Sequence, residues 1–314
     1  MNAQAAVSIQ DLTKVFGRFV AVDRVTLDVN QSEIFGFLGP NGAGKTTTIK
    51  MLIGLLLPTS GQGTVAGFDI MTETEEIKRN IGYMSQLFSL YADLTVGENI
   101  AFFSGLYSVP QARRAGRRDW VLEMAGLTDQ RSRLTGELPL GWKQRLALGC
   151  AILHEPPLLF LDEPTSGVDP ISRRSFWDLI YSLTDNGTTV FVSTHYMEEA
   201  EYCHRLALMN RGKLIALDRP AQLRAQLPEP LLEIQTQHSP QIVDALRGVP
   251  GVLEAGMFGR AVHVMVHNAA RARGEIAEHL RAHGLGFADI QEIPPSLEDV
   301  FIARVHAEGG AAVD

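Results

Sequence analysis

One loop restricts this chain more than any other feature. Gly39-Pro-Asn-Gly-Ala-Gly44-Lys45-Thr46 fits the pattern GxxxxGK[ST]. Its glycines let the backbone wrap closely around an anion, with several N–H groups turned inward. Such a loop needs a strand before it and a helix after it. EIFGFLG supplies the strand, and Thr46 to Leu57 reads as an apolar helix ended by Pro58, Gly61 and Gly63. The helix beginning near Lys45 points its positive end at the anion. Lys45 would reach the β- and γ-phosphates, and the Thr46 hydroxyl would ligate Mg²⁺. The loop does not say which base is bound. Phe16, in TKVFG, is a candidate to stack on adenine, with an ordinary core phenylalanine as the alternative.

The rest of the first 220 residues fits an α/β body around that loop. VSIQDLTKVF and VTLDVN read as strands before EIFGFLG, starting at residue 7. Residues from about 88 to 152 are helix-rich and read as a helical insertion. LLFLDEP (158–164) and TTVFVSTH (188–195) are continuous apolar runs, suited to strands buried on both faces. The helix between them starts near Pro170, a good first-turn residue. RLALMNRGKLIAL reads as two strands around a turn at Asn210, Arg211 and Gly212.

LLFLDE places Asp162 and Glu163 at a strand's C-terminal end, where ligands bind in open α/β sheets. Adjacent strand residues point to opposite sides, so both carboxylates face one site only if the strand ends there. Asp162 would hold Mg²⁺, and Glu163 would orient and polarise an attacking water. A solvated acidic pair is the alternative, and the upstream phosphate loop argues against it. His195 could bond a γ-phosphate and sense its presence. Gln86 could ligate Mg²⁺ or the water. Neither has much independent signal.

Together these pieces resemble the ATP-binding subunit of an ATP-binding-cassette (ABC) transporter over residues 7–220. Phe16 matches the aromatic A-loop, GPNGAGKTT (Gly39 to Thr47) the Walker A loop, and Gln86 the Q-loop. LLFLDEP matches the Walker B strand with Glu163 as catalytic base. SGVD (166–169) matches the D-loop, and THYMEEAEYC carries the H-loop His195. The ending PSLEDVFI (295–302) is similar to that of cassette subunits from bacterial drug- and antibiotic-efflux exporters. The resemblance implies a P-loop NTPase cassette over 7–222. Its α/β core would have a mixed sheet, an antiparallel β part and the helical insertion. It implies ATP and Mg²⁺ as cofactors, a second cassette in a homodimer or heterodimer, and a separate multi-span membrane subunit. The helical insertion and the segment just after Gln86 would receive that subunit's coupling helix. The expected place is the cytoplasmic face of the inner membrane, as a peripheral protein. The expected activity is ATP hydrolysis that energises export of a drug, an antibiotic or a lipid-like molecule. The rival is a non-transport cassette acting as an ATP-driven dimerisation switch on another macromolecule.

One motif departs from the pattern. The usual signature has Ser-Gly-Gly before x-Lys-Gln-Arg, and LPLGWKQRL (138–146) keeps Lys143-Gln144-Arg145. The serine position is Pro139, the first glycine Leu140 and the second Gly141. Pro139 has neither hydroxyl nor N–H, so two donors to the partner's γ-phosphate are absent. The N–H groups of Leu140, Gly141 and Trp142 remain, and the helix still presents its positive end.

After residue 225 the pattern changes. LLEIQT, SPQIVDALRGV, VLEAGMFGRAVHVMV, ARARGEIAEHLRAHG and GFADIQEI run βαββαβ, the order of a small ferredoxin-like α+β unit. This accessory domain is expected over 226–308, with EGGAAVD as a frayed tail. Its role in drug sensing, regulation or dimerisation stays open.

The net charge is −8, which gives no phosphate-backbone footprint and makes nucleic acid a poor partner. No apolar run approaches the ~20 residues needed to cross a bilayer, and MNAQAAVSIQ lacks the pattern of a secretory signal. Cys150 and Cys203 form no disulfide framework or metal spacing and read as small buried residues with reduced thiols in a cytosolic compartment. RRAGRR (113–118) reads as a solvated helix face or, less readily, a contact for anionic lipid. His279 and His283 share a helix face without a third metal ligand.

Overall fold

The computed structural model describes residues 5–86 and 90–307, which form two compact units divided after Pro220. In chain order the first unit runs β1 (Ala5–Phe16), β2 (Phe19–Asn30), β3 (Ile34–Leu38), α1 (Lys45–Leu52), β4 (Ser60–Val65), β5 (Phe68–Asp69), α2 (Thr74–Asn80) and β6 (Ile81–Met84). It continues with α3 (Val96–Leu106), α4 (Gln111–Met124), α5 (Leu140–Ala151), β7 (Leu158–Asp162), α6 (Pro170–Asp185), β8 (Thr189–Thr194), α7 (Met197–Ala200), β9 (Arg205–Asn210), β10 (Lys213–Asp218) and the boundary helix α8 (Pro220–Ala225).

Two sheets carry this unit. An antiparallel sheet has the order β2-β1-β4-β5. The second has the order β10-β9-β3-β8-β7-β6, parallel from β9 to β6, with β10 antiparallel at one edge. The runs read as doubly buried strands are so: every residue of β3, β7 and β8 is buried. The core joins both sheets through Val7, Val25, Phe37, Ile49, Phe160 and Phe191. All five parallel strands end at the same edge, and β3, β7 and β8 deliver the phosphate loop, the paired carboxylates and His195 there.

Two local features differ from expectation. The helix read as Thr46 to Leu57 stops at Leu52. Gly54 takes φ +72°, and the N–H groups of Leu55 and Leu56 both turn back to the Lys50 carbonyl. This chain reversal ends the helix before Pro58 can. The arginines of the basic cluster 113–118 have partners within the unit. Arg113 and Arg117 both pair with Glu155, and Arg117 also donates to the Ile152 and Leu153 carbonyls just beyond α5. Arg118 pairs with Asp119, and Arg114 donates to the Val109 carbonyl. Arg117 thus braces the end of α5, and Glu155 and Asp119 offset part of the charge of the four arginines.

The second unit is β11 (Leu231–Gln235), α9 (Ser239–Leu246), β12 (Val252–Phe258), β13 (Ala261–Val266), α10 (Ala269–Ala282), β14 (Asp289–Ile293) and α11 (Leu297–Ala307). Its antiparallel sheet has the order β12-β13-β11-β14. Leu232, Ile234, Val262 and Val264 meet Ile242, Ile276 and Leu280 of α9 and α10. The opposite face carries Glu233 and His263, since alternate residues on a strand face opposite ways. There α11 docks: His263 Nδ1 stands 2.9 Å from Asp299 Oδ1. Asp299 Oδ2 also accepts from the N–H and hydroxyl of Ser296, while Ser296 Oγ accepts from the Asp299 N–H. PSLEDVFI is thus a helix-opening capping box whose acidic partner doubles as a lock onto the sheet. The tail EGGAAVD lies outside the described residues.

Among the described residues no group of three His, Cys, Asp or Glu could hold a metal ion. The His279 ring is tied to the Ala245 carbonyl at 2.9 Å. Both cysteines are buried, and burial pushes both thiols up in pKa.

Candidate nucleotide site

The phosphate loop follows β3 directly. Gly44 lies at φ +103°, and a Cβ there would stand 2.6 Å from the Ala21 carbonyl oxygen, so only glycine fits. The Gly212 N–H donates to the Ala43 carbonyl at 2.9 Å, which braces the loop from the β9–β10 turn. α1 opens at Lys45 with no side-chain cap and no acidic residue in its first turn. Its first N–H groups are therefore available to an anion.

Lys45 is almost fully buried. Its Nζ donates to the Gly39 carbonyl at 2.6 Å and the Pro40 carbonyl at 3.2 Å, and stands 3.2 Å from Glu163 Oε1. The other oxygen, Glu163 Oε2, accepts from Gln86 Nε2 at 2.9 Å and lies 3.1 Å from His195 Nδ1. One carboxylate thus joins the lysine, glutamine and histidine that sequence reasoning placed in separate motifs. β7 ends at Asp162, and Glu163 takes φ +49°, a left-handed conformation uncommon outside glycine. That turn lets both carboxylates face one site. Its N–H is held by the Ser193 carbonyl and hydroxyl, each at 3.1 Å, which supports the strained geometry.

Asp162 Oδ1 accepts from Ser193 Oγ at 2.6 Å and Thr46 Oγ1 at 3.2 Å. Its Oδ2 is buried and has no hydrogen-bond partner. Desolvation raises the Asp162 pKa, against the lowering effect of those two hydroxyls. A buried acceptor left unpaired is costly unless something meets it. A hard divalent cation would, so Asp162, with the Thr46 hydroxyl beside it, suits such an ion.

The other predicted residues fall elsewhere. Phe16 ends β1, is 48% exposed and has Lys14 Nζ 5.1 Å from its ring centroid. It is no core phenylalanine. Within the phosphate loop Asn41 and Gly42 are exposed, and Thr47 is half-buried. Leu140 and Gly141 open α5. A Cβ on Gly141 would stand 2.6 Å from Ser172 Cβ, and Leu140 lies close to Gly167. The Trp142 N–H, expected to be available, donates instead to the Pro139 carbonyl at 3.0 Å. Only the N–H groups of Leu140 and Gly141 stay at the open end of the helix. The segment just after Gln86 lies outside the described residues.

Sequence reasoning missed Ser193, which ties Asp162 to the Glu163 backbone. The signal was there: a small hydroxyl interrupts an otherwise apolar strand.

A phosphate loop on the central strand, an aspartate beside it with one oxygen left without a partner, and a glutamate at the next turn define a P-loop nucleotide-binding protein. Residues 22–166 match the ABC transporter family, and residues 219–305 match the family described as ATP-binding protein DrrA1-3-like, C-terminal domain. Residues 136–199 also match the family described as AAA domain, putative AbiEii toxin, Type IV TA system. The chain is 51% identical over 235 residues to the probable multidrug ABC transporter ATP-binding protein YbhF of Escherichia coli (strain K12). That match covers 73% of this chain and 41% of YbhF, so the chain spans about two fifths of that relative. The daunorubicin/doxorubicin resistance ATP-binding protein DrrA of Streptomyces peucetius is 34% identical over 310 residues, covering 96% of this chain and 94% of DrrA. The ATP-binding cassette MJ0796, in a dimeric post-hydrolysis state bound to ADP and Pi, superposes with a TM-score of 0.62 at 26% identity. It covers 68% of this chain and 98% of that one. The chain belongs to the ATP-binding proteins of ABC transporters.

Proposed function

We propose that the chain hydrolyses ATP to energise export of a drug, an antibiotic or a lipid-like small molecule through a separate membrane-spanning subunit. The observation that carries this reading is the convergence of Lys45, Gln86 and His195 on Glu163, beside the unpaired Asp162 Oδ2. Incoming phosphates compete with Glu163 and the Gly39 and Pro40 carbonyls for Lys45. Once Lys45 turns to the phosphates, Glu163 is free to take a proton from the attacking water. Gln86 and His195 hold that carboxylate in place. Thr46, Gln86 and Asp162 would hold Mg²⁺, which neutralises charge on the β- and γ-phosphates. Phe16 would stack on the adenine, and Gly39 to Thr47 would cradle the phosphates.

The transport reading draws support from relatives named for multidrug handling and for daunorubicin/doxorubicin resistance. Among the described residues no helix is long and apolar enough to cross a membrane. A groove of about 600 Å³ would seat a membrane partner, with Ile53, Leu55, Tyr83 and Leu106 on its floor and Glu75, Lys78 and Arg79 also lining it. Leu55 and Leu106 are 57% and 62% exposed there. A short amphipathic helix fits such an apolar floor. The second cassette, from the same or another gene, would present its signature loop to this chain's ATP. The assembly would sit at the cytoplasmic face of the inner membrane. The rival switch reading has no specific observation in its favour.

Two measurements test the proposal. Glu163→Gln should abolish ATP hydrolysis, and unchanged turnover would sink the assignment. The chain should also co-purify from membranes with a multi-span protein. Recovery as a free protein, active on another macromolecule, would favour the switch.

A further inference from the structure

We infer that Glu199 is a positioning residue that fixes the distance between Glu163 and His195. The inference rests on the proposed roles of those two residues. Glu199 lies on α7 and is completely buried. Its Oε2 accepts the Thr194 hydroxyl at 2.6 Å. Its Oε1 accepts the Thr165 hydroxyl and lies 3.4 Å from Arg173 Nε. Thr194 is the last residue of β8, directly before His195. Thr165 stands two residues after Glu163, in a turn where the Ser166 N–H donates to the Glu163 carbonyl at 3.2 Å. One carboxylate therefore grips both backbones that deliver the reacting pair.

Arg173 extends the clamp. Its guanidinium lies 4.1 Å from the Tyr196 ring centroid, and Nη2 reaches the Val168 carbonyl at 3.4 Å. The Tyr196 ring in turn lies 4.1 Å from the His195 ring. Thr194 Oγ1 also accepts the Tyr196 N–H at 3.0 Å, which sets the turn after His195. A burial this complete is costly for a carboxylate, and the two hydroxyls with the arginine offset it. The arrangement holds His195 Nδ1 within 3.1 Å of Glu163 Oε2. Neither Glu199 nor either threonine touches the phosphate loop in any hydrogen bond among the described residues, so their effect on nucleotide passes through the pair they hold.

The test uses hydroxyl deletions of nearly unchanged volume in the full-length chain: Thr194→Val and Thr165→Val, with Thr194→Ser and Thr165→Ser as rescues. ATPase kcat and KM, affinity for a ribose-labelled fluorescent ATP, and Tm are measured for each. Misplacement of a reacting group by around an ångström costs on the order of 100-fold. A single lost tether should cost about tenfold in kcat, with KM and nucleotide affinity within about twofold. The serine variants should recover most of the loss. The double valine variant should lose less than the product of the singles, because both act through one carboxylate. Unchanged kcat in both valine variants, or a parallel fall in kcat and nucleotide affinity, would overturn the inference and leave the ATPase reading intact. Wild-type protein without turnover, indistinguishable from Glu163→Gln, would overturn both.

Discussion

The Lys45–Glu163 pair makes nucleotide binding a competition, and Glu163→Gln should expose it. The two charges stand 3.2 Å apart, with side chains only 4% and 6% exposed. At an effective dielectric near 20, the gross attraction is about 5 kcal/mol. Most of that offsets desolvation, and a hydrogen bond between charged groups contributes roughly 1.5–3 kcal/mol net. ATP must break this bond before Lys45 can serve the phosphates. Glutamine keeps a carbonyl acceptor for Lys45, but a neutral acceptor is about half as strong. Relief of roughly 0.7–1.5 kcal/mol should tighten ATP binding by about 3- to 12-fold. Removing a negative charge near the phosphates acts in the same direction. The nucleotide-free variant should also unfold at lower temperature, since Lys45 is left buried without its carboxylate. The assay is calorimetric titration of both proteins with a non-hydrolysable ATP analogue and Mg²⁺, so that turnover does not intrude. Equal or weaker binding by Glu163→Gln would refute the competition, whatever happens to turnover.

Pro139 opens α5 without a side-chain cap. Pro139→Ser should add about 1 kcal/mol from an N-cap bond, raising Tm by about 2–4 °C in a scan, with ATP affinity of the isolated chain unchanged. His154 stacks on Tyr107 at 4.1 Å and bonds the Ile81 carbonyl at 3.0 Å. Burial depresses its pKa below the ordinary 6.5. The unfolded chain is then protonated first as pH falls below that value, and stability is lost from there down through the folded pKa. His154→Gln should flatten this acid limb in Tm scans from about pH 7.5 to 5, and an unaltered limb would remove His154 as its cause. Desolvation raises the Asp299 pKa, but the hydrogen bonds from His263 and Ser296 outweigh it and leave it lowered. Asp299→Ala removes both the capping box and the lock on His263, and should cost the second unit about 1–3 kcal/mol in urea unfolding. A loss below about 0.5 kcal/mol would mean that α11 is held by its apolar face alone.

The legible parts of this chain were those where a motif and an apolar period coincide. Gly39 to Thr46 sits between a buried strand and a helix, and LLFLDE ends on two carboxylates, so a phosphate-binding α/β core could be read directly and the cassette through the family resemblance. The βαββαβ order of the second unit was legible through clean strand periods. Elements were lost where local chemistry is weak. β6 has four residues, one of them glycine, after the polar helix α2, and only pairing with β7 makes it a strand. α11 opens on Ser296 and Asp299, a capping signal that reads equally as a surface turn until His263 is seen beneath it. In the site, Glu199 is one of three acidic residues in MEEAE. Nothing in that run distinguishes the buried carboxylate from its neighbours, since burial is set by α7 folding onto β3 and β8.

The altered signature loop gains meaning from this packing. A search for polar side chains finds a defect at Pro139-Leu140. Anion binding at a helix opening, however, rests first on backbone N–H groups and their orientation. Here Leu140 packs near Gly167 and Gly141 packs against Ser172. One contact lies on the turn that follows Glu163 and the other at the start of α6. The opening of α5 and the Glu163 carboxylate are therefore braced by one stretch, residues 163–172. Pro139 offers neither the hydroxyl nor the N–H that a serine would have there, so an anion at this end of α5 would rest on the N–H groups of Leu140 and Gly141.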